Sequence, residues 1–161
     1  MALERMGRCA RKAWDHAVEQ YHLSENRRPG LTTGHILLGV LKEDACAGGL
    51  ILGNLRLDLP HAYAVTQFVL LHSRRDPSSD DAVVDVGGVP HTRAAANALA
   101  ISVDEADLFS PTYPIGTEHL LLAVLRVREG IGYRVLSSFG IDVHAARAAR
   151  DSLWELLHSP E

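Results

Sequence analysis

The chain has 161 residues, of which 47% are hydrophobic, 22% charged and 6% aromatic, a composition that fits a soluble globular protein and excludes a disordered or fibrous one. Its net charge of −4 disfavours binding of the whole molecule to nucleic acid or to an acidic membrane. Two cysteines, Cys9 and Cys46, match no zinc or redox motif, and we find no secretory or membrane-spanning segment, which favours a cytoplasmic location.

The first half of the chain predicts four helices. Apolar residues spaced by three and four across 3–21 indicate an amphipathic helix. Thr33 is predicted to cap a second helix over 35–41, which is apolar on nearly every side. Glycines at 48–49 precede a short third helix, and Asp58 is predicted to cap a fourth. The residues expected to face inward on this fourth helix are Ala64, Val65, Phe68 and Leu71.

The same order of elements recurs after a Pro-, Gly-, Ser- and Asp-rich linker, in which 82–86 is at most a short extended piece. An amphipathic helix follows the linker, and Thr117 is predicted to cap a second all-apolar helix. A short helix comes next, and Asp142 caps the last one, whose predicted inner stripe is Val143, Ala146, Ala149, Leu153 and Leu156. Trp14 and Trp154 are expected to fill the core.

An internal duplication explains this recurrence. Residues 31–59 and 115–143 align without a gap, with nine identities in 29 positions. An all-apolar helix needs cover on every side, so two units packed about a pseudo-twofold axis would bury both. We therefore predict an all-α fold of eight helices in a single domain, 1–161. Its parts are repeat one at 3–74, a linker at 75–90 and repeat two at 91–157.

The second repeat carries motifs that resemble those of a known family. Its segments I-G-T-E-H-L-L-L-A at 115–123, R-E-G-I-G at 128–132 and R-V-L at 134–136 come in order, followed by G-I-D at 140–142. In these motifs the chain resembles the Clp N-terminal (Clp repeat) domain of AAA+ protein unfoldases, closest to the ClpC type. With the weaker first repeat, the resemblance covers residues 3–157.

The resemblance implies a non-catalytic module that binds substrate polypeptides or adaptors for an unfoldase and its protease. No phosphate-binding G-x-x-x-x-G-K-(S/T) loop is present in the sequence, and we expect neither a cofactor nor a bound metal. The chain would be a free-standing repeat domain or a segment of a longer unfoldase. A decoy that sequesters the unfoldase's ligands is an alternative within the same class.

Some ClpC-type domains recognise phosphorylated arginine through the Glu of the T-E-H motif, nearby hydroxyls and a helix start. By resemblance, the contact residues here are Thr117 and Glu118, with Thr92 and Arg93 at the start of the second repeat's first helix. A helix N-terminus attracts the phosphate, and a carboxylate pairs with the guanidinium. Repeat one has Gly34 in place of the Glu, so the resemblance implies that its site is lost or altered.

Other readings of the same residues stay open. Glu118 also suits any helix start, and His35 with His119 are better explained as structural imidazoles than as metal ligands. Cys46 has no evident helix start to activate it as a nucleophile. A helical hydrolase would require a catalytic arrangement that we do not find, and a nucleic-acid binder would have to use the Arg-rich first helix against an acidic net charge.

Overall fold

The computed structural model describes residues 2–24, 28–72 and 83–158. Its helices are Ala2–Arg5 (α1), Arg8–Leu23 (α2), Thr33–Lys42 (α3), Ala47–Asn54 (α4), Leu59–His72 (α5), Arg93–Asp107 (α6), Thr117–Arg126 (α7), Ile131–Ser138 (α8) and Val143–His158 (α9). Strands Val83–Val86 (β1) and Val89–Thr92 (β2) form an antiparallel hairpin before α6. No helix in the described ranges is long and apolar enough to cross a membrane.

Two buried helices, α3 and α7, form the centre of the molecule, as the sequence predicts. Every residue of α3 from Thr33 to Leu41 is buried, and α7 is buried from His119 to Leu125. Helix α3 packs against α2, α5 and α8, whereas α7 packs against α6, α4 and α9. The all-α fold of two four-helix repeats is confirmed, with α2–α5 and α6–α9 as its halves.

The third helix of each repeat packs against the other repeat. Helix α4 of the first half contacts α7 and α9, and α8 of the second half contacts α3 and α5. Each central helix is therefore covered in part by a helix from the opposite half. This reciprocal packing of α4 and α8 corresponds to the predicted pseudo-twofold arrangement.

A reciprocal pair of hydrogen bonds joins the two halves. The backbone N–H of Gly48 in α4 donates to Thr117 Oγ1 at 2.8 Å, and that of Gly132 in α8 donates to Thr33 Oγ1 at 3.0 Å. A Cβ atom on Gly48 would lie 2.8 Å from the Thr117 carbonyl oxygen, and one on Gly132 would lie 3.0 Å from that of Thr33. Only glycine lets the helices approach this closely.

These contacts correct the predicted helix caps. Thr33 and Thr117 are the first residues of their helices, and their hydroxyls point across to the other repeat instead of capping. The residues before them, Thr32 and Gly116, occupy the N-cap positions. The predicted caps Asp58 and Asp142 are confirmed. Each carboxylate accepts a hydrogen bond from the backbone N–H of the third residue of its helix, at 3.1 Å in α5 and 2.8 Å in α9.

Short backbone pairings bring the start of each first helix to the other repeat. Gly7 donates to the Ile115 carbonyl at 2.9 Å, and Ile115 donates to Arg5 at 2.8 Å. Symmetrically, Leu31 donates to Pro90 at 2.8 Å, and Thr92 donates to Leu31 at 2.9 Å. The first pairing breaks the single helix predicted from residue 3 into α1 and α2. The second uses β2, which pairs with β1, so most of the extended piece predicted at 82–86 is a strand, Val83–Val86. Residues 75–82 of the predicted linker lie outside the described ranges.

The predicted inner face of α5 was wrong, whereas that of α9 was right except at Leu156, since Val143 and Leu153 are partly buried against the core. On α5 the buried residues are Ala62, Thr66 and Leu70, whereas Phe68 and Leu71 are exposed. Helix α5 is apolar on most sides, so periodicity does not select a face, and the smaller side chains lie against the neighbouring helices. On α9 the inner stripe ends early: Ala146 and Ala149 are buried, but Trp154 and Leu156 are exposed, in contrast to the buried Trp14.

A disulfide joins Cys9, in the first turn of α2, to Cys46, with 6.2 Å between their Cα atoms. The sequence did not predict this bond, because the two cysteines are 37 positions apart and form no local motif. Cys46 is also the N-cap of α4, which begins at Ala47, earlier than predicted. The expectation that Cys46 has no helix start beside it was therefore wrong.

Substitution of Gly48 tests the close approach of the two halves. We expect Gly48→Ala to lower the free energy of unfolding by about 1–3 kcal/mol, because its Cβ would overlap the Thr117 backbone. The matched control is Gly53→Ala in the same helix, where a Cβ meets no atom within 4 Å. The control should raise stability by roughly 0.5–1 kcal/mol. Equal effects of the two substitutions in urea unfolding would contradict this account.

Candidate functional site

The starts of the two central helices share one imidazole arrangement. The N–H of Thr32 donates to His35 Nδ1 at 2.9 Å, and that of Gly116 donates to His119 Nδ1 at 2.9 Å. Each ring therefore accepts at Nδ1 and carries its proton on Nε2. This matches the predicted structural imidazoles and repeats at equivalent positions of both halves. In the described ranges, no three His, Cys, Asp or Glu side chains cluster to hold a metal.

Burial keeps both rings neutral. It lowers the pKa of His35 to about 3, and the nearby positive charge of Arg28 and the ring of His91 act in the same direction. Burial also lowers the pKa of His119, although the carboxylates of Glu118 and Glu105 oppose that shift. Neutral imidazole is the form that can accept the backbone N–H at a helix start.

The two helix starts differ in which residue places a polar side chain beside the N-cap. In α3, Thr32 supplies the capping oxygen, which accepts from the Gly34 N–H at 3.1 Å. In α7 the N-cap is Gly116, and the Glu118 carboxylate folds over its α-carbon, in the space that a Cβ would occupy. Glu118 Oε1 lies 3.4 Å from His119 Nδ1, which is an acceptor, so the pair is a contact and not an ion pair.

Repeat one has no room for an equivalent carboxylate. A Cβ on Gly34 would lie 2.9 Å from Ile131 Cγ2 and 3.1 Å from Leu70 Cδ2. A side chain at this position would have to displace both apolar groups. The space that Glu118 uses in α7 is thus closed by packing in α3.

The four residues expected at the site lie in different surroundings. Thr117 is fully buried, and its hydroxyl already accepts from Gly48. Thr92 caps α6 by accepting from the Ala95 N–H at 3.2 Å, and Arg93 is the exposed first residue of that helix. Backbone bonds place Thr92 beside Leu31 at the start of α3, whereas the start of α7 lies beside Arg5 and Gly7. Of the four, Glu118 lines a cavity between the two repeats.

That cavity, about 150 Å³ in volume, lies between the two halves. Its walls come from α4, α9, the first turn of α7 and the segment between α6 and α7: Ala47, Ile51, Phe109, Tyr113, Glu118, Arg150, Leu153, Trp154 and Leu157. Aromatic rings form one wall, with the centroid of Phe109 5.2 Å from that of Tyr113 and 5.5 Å from that of Trp154. Phe109, Trp154 and Leu157 are partly open to solvent. We call this space the inter-repeat cavity.

The inter-repeat cavity combines apolar walls with two opposite charges. Glu118 places a carboxylate at the start of α7, and the Arg150 guanidinium lies 6.0 Å from the Phe109 ring centroid. Arg150 also binds Asp151 on its own helix at 3.1 Å. Such a space suits a peptide side chain that has an apolar stem and a cationic end, which Glu118 would pair with.

A second cavity of about 230 Å³ lies within repeat one, between α2, α3 and α5. Its lining includes His35 and Leu70, which stand where His119 and Trp154 stand in the second repeat. Among the described residues, the polar groups that line it are Gln20, Ser24, Gln67 and His35. The charged side chains that line the inter-repeat cavity, Glu118 and Arg150, both belong to the second repeat.

Sequence reasoning missed the aromatic wall. Trp154 was assigned to the core from its position beside a helical stripe, and Phe109 was passed over at the end of α6. One signal was present: Phe109 and Tyr113 flank the helix-breaking Ser110-Pro111 just before the T-E-H motif. Aromatic residues in such a connection have fewer neighbours to bury them than those inside a helix.

Comparisons with known proteins place these features in context. The chain is 26% identical over its whole length to the ATP-dependent Clp protease ATP-binding subunit ClpC of Staphylococcus saprophyticus, and 32% identical over 77% of its length to a ClpA homologue of Porphyra purpurea. It spans 18% and 14% of the lengths of those two proteins. No family model matches the chain.

Among solved structures, the N-terminal domain of the caseinolytic protease associated chaperone ClpD from Arabidopsis thaliana has the same fold. The TM-score is 0.72 at 19% identity, and the match covers 96% of this chain and 97% of that domain. The expected fold and the resemblance to Clp N-terminal domains are both confirmed.

The neutral His35 cap predicts a dependence of stability on pH. The pKa of His35 is about 3 when folded and near 6.5 when exposed, so the unfolded chain binds a proton that the folded chain does not. The stabilisation is complete above pH 6.5 and is lost as the pH falls towards 3. This group alone should lower the free energy of unfolding by about 1.4 kcal/mol for each pH unit in that window.

Urea unfolding between about pH 4.5 and 7.5 measures this slope. His35→Gln keeps an acceptor at the third helical position and should show a shallower dependence. The exposed His144 on α9 provides the control, since His144→Gln should retain the native slope. An unchanged slope in His35→Gln would refute the assignment.

Proposed function

Because the chain is a Clp N-terminal domain by fold and by sequence similarity, we propose that it binds substrate polypeptides or adaptor proteins for a Clp unfoldase. The domain is not an enzyme on its own, since its similarity is to the N-terminal domain of Clp ATPases. Its contribution would be recognition, with unfolding and proteolysis carried out by other parts of the system.

The observation that carries the proposal is the inter-repeat cavity. It is concave, largely apolar and partly open, and it places one carboxylate at the start of a helix. Exposed aromatic rings are enriched where proteins bind peptides, because they bury much area with few rotatable bonds. Phe109 and Trp154 would receive the apolar part of a bound segment, and Glu118 would receive its cationic group.

We further propose that the preferred side chain is a phosphorylated arginine in the bound protein. Its guanidinium portion would pair with the Glu118 carboxylate, and its phosphate would lie near the N-terminal end of α7, where the helix dipole favours negative charge. The Thr117 hydroxyl takes no part, because it is buried and bound to Gly48. Gly34 supplies no carboxylate at the start of α3, so we propose one such site per chain.

Calorimetric titration tests this function with three ligands: free phosphoarginine, an arginine-phosphorylated protein and the same protein without phosphate. The native chain should bind both phosphorylated ligands. Glu118→Ala should weaken their binding by roughly tenfold or more, since a charge-assisted pair is lost. Glu129→Ala removes an exposed carboxylate from the α7–α8 connection and should leave the affinity unchanged.

The same ligands can be followed by fluorescence. In a Trp14→Phe chain, Trp154 is the single tryptophan, and it lines the inter-repeat cavity. Ligand binding there should change its emission, and Glu118→Ala should suppress the change at equal ligand concentration. Failure of the native chain to bind either phosphorylated ligand would refute phosphoarginine recognition. Binding of the unphosphorylated protein alone would support a general polypeptide site.

A further inference from the structure

The Cys9–Cys46 disulfide connects two helix starts of the first repeat. Cys9 is the second residue of α2, and Cys46 is the N-cap of α4. Both cysteines are half-buried, so neither is sealed inside the core. The bond closes a stretch of 37 positions that contains α3.

Helix α4 is the element on which this cross-link acts. Two residues after Cys46, the Gly48 N–H makes the hydrogen bond to Thr117 that joins the halves. Ala47 and Ile51 of the same helix line the inter-repeat cavity, and the helix packs against α7 and α9. The first turn of α4 is thus held at one end by the disulfide and at its inner face by repeat two.

We propose that Cys9 and Cys46 form a reversible thiol–disulfide switch that sets the mobility of α4. A half-buried bond is accessible to small thiols and to dithiol proteins, which fully buried disulfides are not. Each sulfur lies at the N-terminal end of a helix, where the dipole stabilises the thiolate released when the bond opens. The two halves remain joined by Gly132 and Thr33 when the bond is open, because that contact does not involve α4.

The exchange is balanced in two steps. A thiolate attacks Cys9 Sγ, the S–S bond breaks, and its electron pair leaves on Cys46 Sγ as a thiolate. A second thiolate then attacks the external sulfur of the mixed disulfide, releasing Cys9 as a thiolate and forming the oxidised dithiol product. The protein gains two electrons, and the two external thiols lose them.

Equilibration of the native chain in glutathione buffers, from fully reduced to fully oxidised, tests the switch. Acid quenching, alkylation and mass spectrometry give the oxidised fraction, and hydrogen exchange gives the protection of α4 in each state. We expect one two-electron transition within this range. Opening of the bond should speed amide exchange across 47–52 by roughly tenfold more than it speeds exchange in α6, and should lower the unfolding midpoint by roughly 5–15 °C.

Substitutions separate the switch from a general effect of the buffer. A double variant, Cys9→Ser with Cys46→Ser, should reproduce the exchange pattern of the reduced native chain and abolish its response to glutathione. The proposal is overturned if the native pair stays wholly reduced or wholly oxidised across the range. It is equally overturned if α4 exchanges at the same rate in both states. The native chain alone decides these outcomes, so a variant that fails to fold does not obscure them.

Discussion

The rest of the structure depends on one constraint: the third helix of each half packs against the central helix of the other half. Helices α3 and α7 are buried along nearly their whole lengths, and neither half has enough helices to cover its own. Helices α4 and α8 supply the missing cover from the opposite side. They approach closely because Gly48 and Gly132 lack side chains, and each glycine N–H finds a threonine hydroxyl. Burial of apolar surface and satisfaction of buried polar groups are thus achieved by the same contacts.

The two halves have the same arrangement of helices but different polar side chains at the starts of their central helices. Both central helices begin with an imidazole that accepts the N-cap N–H, so this part of the frame is the same in the two halves. The neighbouring positions differ. Thr32 caps α3, and the surface at Gly34 is closed by Leu70. At α7 the cap is glycine, and the polar group comes from Glu118 instead. The two helix starts therefore share the imidazole contact and differ in the polar side chain beside it.

The candidate site was predictable only in part. The T-E-H motif singled out Glu118, which does line the inter-repeat cavity. The same reasoning gave Thr117 a binding role, although its hydroxyl faces the other repeat. Trp154 was predicted to lie in the core and Phe109 had no predicted role, because a helical stripe gives the direction of a side chain but not the position where the neighbouring helix ends. A cavity forms where neighbouring helices no longer cover a helix, and the position of those neighbours depends on elements distant in sequence.

The sequence by itself determined the helices, the caps at Asp58 and Asp142, and the duplication, because spacing and capping involve residues within a few positions of each other. Only the tertiary structure decided that Thr33 reaches across to the other half, that Phe68 is exposed, and that Cys46 meets a cysteine 37 positions away. Those outcomes depend on which helix packs against which, and such long-range contacts arise from the fit of whole surfaces rather than from any local pattern.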